Sequence, residues 1–500
     1  MVSKPWKDRQ QERGKSFSAF RNKLAEEGKL TATEENNEKN KDKSSFNKNM
    51  VQKAIKKTGK MNVLWLMADQ LRADTLGYMG HSIVKTPNID RLAEEGAVFT
   101  NSYCSSPVCV PSRATYLTGK YNFSHGVLQN GYSLHKSEKL LPDYYQENGY
   151  STASIGKTHC GRYARTIWEY YDYVEDGYGV TKPSKVPFNP DNFSDITFIN
   201  KPVDNSDCVL HGKYPAPVEV SKSYLLANEA MKWLYHYDYT EPFLLRVSFD
   251  DPHPPVVPPE PYASMYNPEE LPDDWFDDNS ESINNKTETV RDFWKYKDMD
   301  KISPEDHRKH SARYLGFISH LDAQIGRILD YLEELGIADN TIIVLNSDHG
   351  HMIGEHRLSH KGIFLYEGVN RVPLIIRHPD EIDSGTRYDD LIEGVDFMPT
   401  MLDLIGVDIP EDIQGQSILP ILKEEAESRD YVVVQWDDFG YSIRDQRWKL
   451  ITYDSDEQGE LYDLQKDPHE KVNLYQNHDF NEVKQRLIQN LNDWRKKYAK

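Results

Sequence analysis

Short apolar runs that recur along the chain restrict its fold more than any other feature. The first run, Asn62 to Ala68, follows a polar stretch without transition and is typical of a strand that is buried on both faces of a parallel sheet. Similar runs occur at residues 243–247, 341–345 and 373–376. Segments with helical periodicity lie between them, at 224–235 and 314–335. The alternation predicts an α/β fold with a large, mostly parallel central sheet flanked by helices.

The two ends of the chain differ in composition from this body. Residues 1–60 are rich in Lys, Glu, Asn and Gln and have few apolar positions, so we predict a charged, disordered extension. After about residue 425 the pattern changes to short alternating pieces, which occur at 431–434, 442–444, 448–452 and 460–463, and then to an amphipathic helix at 481–498. The predicted organisation is an extension (1–60), a main α/β domain (61–425) and a smaller C-terminal subdomain with an antiparallel sheet and a helix (426–500).

Charge and cysteine content limit the classes of partner and compartment. The formal charge is −20, and residues 1–60 carry 16 Lys and Arg against 8 Asp and Glu, so their +8 leaves −28 for the remainder. Such an acidic body disfavours nucleic acid as a partner. The four cysteines are too few and too scattered for a disulfide framework, no apolar signal segment opens the sequence, and no run reaches the roughly 18 apolar residues of a membrane span. We therefore expect a cytoplasmic protein with no membrane partner, and leave its oligomeric state open.

Cys109 begins the compact run Cys-Val-Pro-Ser-Arg, which continues as Ala-Thr-Tyr-Leu-Thr-Gly to residue 119. Proline suits the first turn of a helix, where its missing N–H is not required, so Cys109 is predicted to lie at a helix N-terminus. The free amides and the dipole at such a terminus attract anions. Chemistry at Cys109 would therefore face a negatively charged group.

This run resembles, position by position, the signature of the type I sulfatases of the alkaline phosphatase superfamily, C-x-P-S-R followed by Leu-Thr-Gly. The segment Leu461-Tyr462-Asp463-Leu464 resembles the C-terminal region of the same family, so the likeness covers about residues 61 to 480. It implies a sulfatase-like fold in which residues 61–425 form the catalytic domain. It also implies that a separate formylglycine-generating maturation enzyme oxidises Cys109 to formylglycine, whose hydrated aldehyde is the nucleophile.

Two polar pairs follow two of the predicted strands: Asp69 and Gln70 after the first run, and Asp348 and His349 after the run at 341–345. Active groups gather at the carboxyl ends of such strands, and hard oxygen ligands suit Ca²⁺, Mg²⁺ or Mn²⁺. Both pairs fall on the sulfatase metal positions, with Gln70 in place of a carboxylate and His349 in place of an amide, and the resemblance adds Cys109 to the ligands. It favours a single Ca²⁺ ion. Mn²⁺ and Mg²⁺ stay open because an imidazole is a less hard ligand and free Ca²⁺ is scarce in cytosol.

Further polar residues match active-site elements of the family. Lys157 and His159 lie in a G-K-x-H element after another apparent strand, and prolines on both sides restrict the backbone of His253. The resemblance implies the catalytic residues Cys109, Arg113, Lys157, His159, His253 and Lys361, and the substrate-binding residues Lys157, His253, Lys361 and Asn130. The cations would offset the charge of a sulfate ester, and His253 or Lys361 would protonate the leaving alcohol. His159 would accept a proton in the second half of the reaction.

The predicted function is hydrolysis of the sulfate monoester of a small molecule, through a covalent sulfo-enzyme formed on formylglycine-109 with the help of the divalent ion. One alternative is a phosphonate monoester or phosphodiester hydrolase of the same superfamily. Gln70, His349 and Asn130 resemble that branch, whereas the G-K-x-H element differs from it. An alternative of another class is a non-catalytic anion-binding protein in which Cys109 is never oxidised.

Overall fold

The computed structural model describes residues 59–174, 189–198, 209–276 and 282–499. The predicted extension lies outside the described residues apart from its last two positions. Sixteen strands occur in the described part of the chain, numbered in order: β1 (Asn62–Asp69), β2 (Ala97–Tyr103), β3 (Ser151–Gly156), β4 (Tyr170–Asp172), β5 (Ser194–Phe198), β6 (Val209–Lys213), β7 (Phe243–Pro252), β8 (Thr341–Ser347), β9 (Met352–Ile353), β10 (Ser359–His360), β11 (Leu374–Arg377), β12 (Thr386–Glu393), β13 (Val432–Trp436), β14 (Gly440–Arg444), β15 (Trp448–Tyr453) and β16 (Glu460–Asp463).

Eight of these strands form the main sheet, in the order β12-β2-β11-β8-β1-β7-β3-β4. β11 runs antiparallel to both of its neighbours, and every other neighbouring pair is parallel. In the centre of the sheet, Leu66 of β1 pairs in register with Leu345 of β8 and Val247 of β7. The predicted large, mostly parallel central sheet is therefore confirmed.

Twelve α-helices occur among the described residues: α1 (Pro87–Glu95), α2 (Cys109–Thr118), α3 (Asn122–His125), α4 (Leu141–Glu147), α5 (Tyr163–Thr166), α6 (Lys222–His236), α7 (Glu288–Tyr296), α8 (Pro304–Leu335), α9 (Glu367–Asn370), α10 (Phe397–Asp403), α11 (Leu419–Leu422) and α12 (Asn481–Tyr498). None of these helices combines the length and the apolar character needed to cross a lipid bilayer.

Helices cover both faces of the main sheet because its central strands are apolar on both faces. On β1, Leu64 and Leu66 pack in one core with side chains of α1, α6 and α8. Val63 and Trp65 alternate with them and pack in a second core with α2, α4 and α10. Burying one such side chain stabilises the fold by roughly 1.5–3 kcal/mol. Two well-packed layers thus fix the positions at which the strands end.

A smaller sheet contains β13 to β16 in sequential antiparallel order. One face of this sheet packs against α12, where Leu487 and Trp494 meet Ile443 and Leu450. The opposite face, which includes Tyr462, packs against the rest of the chain. The predicted antiparallel sheet with a closing helix is confirmed, and the subdomain boundary near residue 425 stays a prediction.

Two features differ from the sequence-based expectations. α8 begins at Pro304 and not at Tyr314, because Ser303 caps the helix by accepting from the backbone N–H of Asp306 at 3.0 Å and proline fills the first position. Three strands of the main sheet, β2, β4 and β12, were not predicted. Polar residues interrupt β2, β4 has only three residues, and β12 alternates between half-exposed and exposed residues over its first half, so none of them forms a continuous apolar run.

Candidate active site

Four neighbouring strands place most of the predicted site residues at one edge of the main sheet. β8, β1, β7 and β3 lie side by side and run parallel. The polar residues at or just beyond their carboxyl ends are Asp348 and His349, Asp69 and Gln70, His253, and Lys157 and His159. The sheet order brings Gln70 and Asp348, 278 positions apart, into hydrogen-bond contact.

Cys109 is the first residue of α2, as the proline in its motif predicted. Its side chain is buried, and two contacts hold this end of the helix. Ser112 donates from Oγ to the carbonyl oxygen of Asp348 at 2.6 Å, and the N–H of Val110 donates to Oδ1 of Asn130 at 3.0 Å. Asn130, predicted to bind substrate, is itself exposed, and its oxygen supports the helix that carries Cys109.

Three polar side chains surround the Cys109 thiol. Its Sγ lies 2.8 Å from Nζ of Lys361, 3.3 Å from Nε2 of His349 and 3.6 Å from Oδ1 of Asp69. Burial raises the pKa of the Cys109 thiol, and the charge of Asp69 adds to this effect while Lys361 opposes it. The thiol is thus central to the cluster of predicted residues.

The predicted metal ligands form one compact group. The ligand atoms of Asp69, Cys109, Asp348 and His349 all lie within 4.8 Å of one another. His349 donates from Nδ1 to the carbonyl oxygen of Gly350 at 2.9 Å, so its Nε2 keeps the lone pair that a metal ion needs. Two carboxylates and one neutral imidazole nitrogen make a donor set that fits a divalent cation.

Gln70 contributes a further candidate ligand. Its backbone has φ = 72°, a conformation uncommon outside glycine, and its N–H donates to Oδ1 of Asp348 at 3.0 Å. The side-chain Oε1 is buried and has no hydrogen-bond partner within the described ranges. A buried amide oxygen without a donor costs free energy unless something else pairs with it, and a cation would do so.

Arg113 joins the two carboxylates of this group. Its Nε donates to Oδ2 of Asp348 at 2.7 Å and its Nη2 donates to Oδ2 of Asp69 at 2.8 Å. Nη1 donates to Ser248 and to the carbonyl oxygen of Lys157, both at 2.9 Å. Four N–H donors of Arg113 are thus used inside the protein, and two of them, on Nε and Nη2, contact the carboxylates of Asp348 and Asp69.

Lys157 and His159 approach the same group from the end of β3. Nζ of Lys157 lies 2.5 Å from Oδ2 of Asp69. Burial would raise the pKa of Asp69, but the charges of Lys157 and Arg113 contribute to holding it well below its usual range. Burial and the charge of Lys157 lower the pKa of His159, so its imidazole is neutral. Its buried Nδ1 has no hydrogen-bond partner in the described part of the chain.

His253 follows β7 and is half-buried. Its Nδ1 donates to the carbonyl oxygen of Pro254 at 2.5 Å, which leaves Nε2 as the acceptor nitrogen. Burial lowers the pKa of His253 well below its ordinary value, and the charges of Lys157 and Lys361 lower it further. His253 therefore offers its Nε2 only as a hydrogen-bond acceptor in this structure.

Arg246, which the sequence analysis did not identify, supports the segment that carries Lys157 and His159. It lies in the middle of β7, fully buried, and donates to Oγ of Ser154 and Oγ1 of Thr158 at 2.9 and 2.7 Å. Its guanidinium lies against the rings of Trp65 and Trp168, and burial lowers its pKa to about 9. The signal in the sequence is an arginine inside an apolar run, because a buried arginine needs polar partners from a neighbouring strand or loop.

Comparison with known proteins shows the family to which this chain belongs. The family model "Sulfatase" matches residues 61–407, and the model "N-sulphoglucosamine sulphohydrolase, C-terminal" matches residues 354–497. An arylsulfatase of Clostridium perfringens is 32% identical over 450 residues, which cover 85% of this chain and 92% of that protein. An N-acetylglucosamine-6-O-sulfatase of Bacteroides thetaiotaomicron is 28% identical and covers 88% of this chain and 87% of its own length.

Solved structures show the same fold. A phosphonate monoester hydrolase of Agrobacterium radiobacter superposes with a TM-score of 0.75 at 27% identity, over 88% of this chain and 96% of that one. A structure in complex with D-glucosamine-2-N,6-O-disulfate superposes with a TM-score of 0.68 at 26% identity, over 88% of this chain and 98% of that one. The alternative of a non-catalytic anion-binding protein has no support here, because these relatives carry the names of enzymes or bind a sulfated substrate. This chain belongs to the sulfatase family and is an enzyme that hydrolyses sulfuric esters.

Proposed function

We propose that this sulfatase cleaves the sulfate monoester of a small molecule through a formylglycine made from Cys109, with one divalent ion bound beside it. The observation that carries the proposal is the position of the Cys109 Sγ among the ligand atoms of Asp69, Asp348 and His349, all within 4.8 Å. The oxidation replaces CH₂SH by CHO and needs an external oxidant, which the maturation enzyme would use. The charge of −28 outside residues 1–60 favours a small ester over a highly sulfated polymer, which this surface would repel.

Asp69, Gln70, Asp348 and His349 would hold the ion together with residue 109. Ca²⁺ is the first expectation, and the imidazole of His349 keeps Mn²⁺ and Mg²⁺ as alternatives. When bound, the ion would supply positive charge that polarises a sulfate oxygen and lowers the pKa of a neighbouring hydroxyl. Arg113 would keep the two carboxylates in place for it.

The cations of the chain would address the two barriers of sulfate ester cleavage. Lys157 and Lys361 would offset the negative charge of the sulfate oxygens as a hydroxyl of hydrated residue 109 approaches sulfur. The attacking hydroxyl would give its proton to Asp348, a new S–O bond would form to residue 109, and the ester S–O bond would break. Of the two protons that residue 109 loses in a full turnover, one would return to Lys361 and the other would pass to solvent. Lys361 would give a proton to the leaving alcohol oxygen.

His159 would act in the second half of the reaction. It is neutral and its Nδ1 has no partner among the described residues, so it can accept the proton of the remaining hydroxyl on residue 109. The C–O bond to sulfate then breaks as the aldehyde forms, and sulfate leaves. Water adds to the aldehyde and restores the starting state, so one water molecule is consumed in each turnover.

Mass spectrometry of the mature protein tests the first step. The tryptic peptide of residues 92–113 holds two cysteines, Cys104 and Cys109, both buried. Conversion of Cys109 lowers the mass of this peptide by about 18 Da and leaves one thiol to alkylate, not two. We expect this lower mass and single alkylation in protein from its natural host.

Two cysteine variants test the same step by activity. Cys109→Ala should abolish turnover, and the matched variant Cys104→Ala should retain it. Full activity with two alkylated cysteines would overturn the proposal.

A second candidate is a phosphonate monoester hydrolase. It is favoured by the TM-score of 0.75 to such an enzyme and by the ligand pair of Gln70 and His349. The kcat/KM for an aryl sulfate compared with that for a phenyl phosphonate monoester separates the two candidates. We expect the sulfate to be the better substrate. A higher kcat/KM for the phosphonate monoester would establish the second candidate.

A further inference from the structure

The side-chain amide of Gln70 can take two orientations, which differ in whether its oxygen or its nitrogen faces the predicted metal ligands. Oxygen and nitrogen of an amide have nearly the same shape, but only the oxygen can bind a cation. Resting on the proposed function, we propose that His351 and His310 are positioning residues, which orient the Gln70 amide so that its oxygen is available to the divalent ion. Neither histidine belongs to the predicted site.

A chain of three hydrogen bonds sets this orientation. The carbonyl oxygen of Leu210 can only accept, so His310 donates to it from Nδ1, at 3.1 Å. Nε2 of His310 is then the acceptor, and Nε2 of His351 donates to it at 3.0 Å. Nδ1 of His351 is left as an acceptor, and the Nε2 amide group of Gln70 donates to it at 2.5 Å.

A backbone carbonyl in β6 therefore decides which end of the amide is free. Burial lowers the pKa of His310 well below its ordinary value, so its imidazole is neutral and has one donor and one acceptor nitrogen. A reversed Gln70 amide would set its oxygen against the lone pair of His351 Nδ1. The observed orientation leaves Oε1 buried and without a protein donor in the described residues, as a cation ligand requires.

Tyr314 fixes the remaining parts of this arrangement. Its ring stacks on that of His351, with centroids 5.4 Å apart, and its hydroxyl donates to the carbonyl oxygen of Gln70 at 2.6 Å. His310 and Tyr314 are one turn apart on α8, and both are fully buried. The same helix thus holds the backbone of Gln70 directly and its side chain through His351.

The affinity of the full-length protein for Mn²⁺ tests whether His351 and His310 orient the Gln70 amide, and it does so without a measurement of activity. Free Mn²⁺ is counted by electron paramagnetic resonance during a titration of metal-free protein. His351→Leu removes the acceptor for the Gln70 amide and should weaken Mn²⁺ affinity by about 10- to 100-fold. His378→Leu is the matched control, since this buried histidine follows β11 at the opposite edge of the sheet. It should bind Mn²⁺ as the wild type does.

A second substitution distinguishes orientation from general damage. The double variant Gln70→Glu/His351→Leu carries a carboxylate, which offers an oxygen in either orientation, and should recover most of the lost affinity. Circular dichroism in EDTA checks that each variant folds. If His351→Leu does not fold, His310→Leu replaces it and should also weaken Mn²⁺ affinity. Unchanged affinity in folded His351→Leu or His310→Leu, or no recovery in the double variant, would overturn the inference alone. A wild type that binds no Mn²⁺, Ca²⁺ or Mg²⁺ would overturn the proposed metal function as well.

Discussion

Nε of Arg113 and Oδ2 of Asp348 meet at 2.7 Å, with both side chains buried. Arg113 lies in α2 and Asp348 follows β8, so this contact ties the helix that begins at Cys109 to the edge of the main sheet. Nη2 ties the same helix to Asp69 at the end of β1. One planar group thus sets the distance between two predicted ligands, and this depends on the shape of arginine as much as on its charge.

Arg113→Lys should therefore weaken the site although it keeps the charge. A lysine ammonium cannot span both carboxylates, and loss of a group that orients metal ligands costs about 10- to 100-fold in metal affinity or activity. The measurements are a Ca²⁺ titration and kcat/KM for an aryl sulfate. Formylglycine content must be equal in both proteins by mass spectrometry. Unchanged Ca²⁺ affinity would show that the carboxylates hold their positions without the guanidinium.

Lys361→Met should affect substrates according to their leaving groups. If Lys361 protonates the leaving oxygen, its loss lowers kcat/KM by about 10²- to 10⁴-fold for an alkyl sulfate. A nitrophenyl sulfate should be affected less, because nitrophenolate leaves without a proton. The check is a plot of log kcat/KM against leaving-group pKa, which should become steeper in the variant.

His253→Ala is the control for the leaving-group plot of Lys361→Met. His253 already donates from Nδ1 to Pro254, so we expect it to contact substrate and not to supply the proton. The variant should raise KM and leave the slope of the plot as in the wild type. A steeper slope for His253→Ala with an unchanged slope for Lys361→Met would reverse the two assignments.

The strands that build the site could be predicted because they are buried on both faces. β1 and β8 contain continuous apolar runs, and the run in β7 is broken only by Arg246 up to Val247. Asp69 and Asp348 stand out as the polar residues that end β1 and follow β8. The order of the strands and the reversed direction of β11 could not be predicted, since pairing between distant segments leaves no local signal. β12 was missed because its first half is not buried.

The site residues could be predicted only where they belong to a sequence motif. The motif around Cys109 identified Arg113 but not the contacts that it makes with Asp69, Ser248 and Asp348, which lie on two strands and a loop. His310 and His351 belong to no motif, and the helix that the sequence predicts at 314–335 does not include His310. Their link to Gln70 is a consequence of tertiary packing only.

Removal of the metal ion should lower stability as well as activity. A ligand that binds only the folded state stabilises it by about 2.7 kcal/mol at a concentration of 100 times its Kd. After dialysis against EDTA, we expect the melting temperature to rise with the logarithm of added Ca²⁺ and activity to return in parallel. His349→Ala should need more Ca²⁺ for the same rise, whereas a flat response in the wild type would contradict a metal site.

A buried carboxylate that is not among these ligands predicts how stability depends on pH. Glu393, at the end of β12, accepts from the N–H of Val433 at 2.9 Å and from the hydroxyl of Tyr121 at 2.6 Å. Burial raises the pKa of Glu393 to about 7, and Asp396 contributes in the same direction while Arg429 opposes it. An exposed glutamate in the unfolded chain has a pKa of about 4.3.

Between about pH 4.5 and pH 7, folded Glu393 holds a proton that the unfolded chain has already lost. The free energy of unfolding should therefore fall as pH rises through this window, by about 4 kcal/mol in total, and this contribution should stay lost at higher pH. Glu393→Gln cannot ionise and should flatten this part of the curve. Urea unfolding at several pH values measures it, with the exposed residue in Glu427→Gln as the control. If Glu393→Gln lost stability as steeply as the wild type across the window, the proton would have to reside on another group.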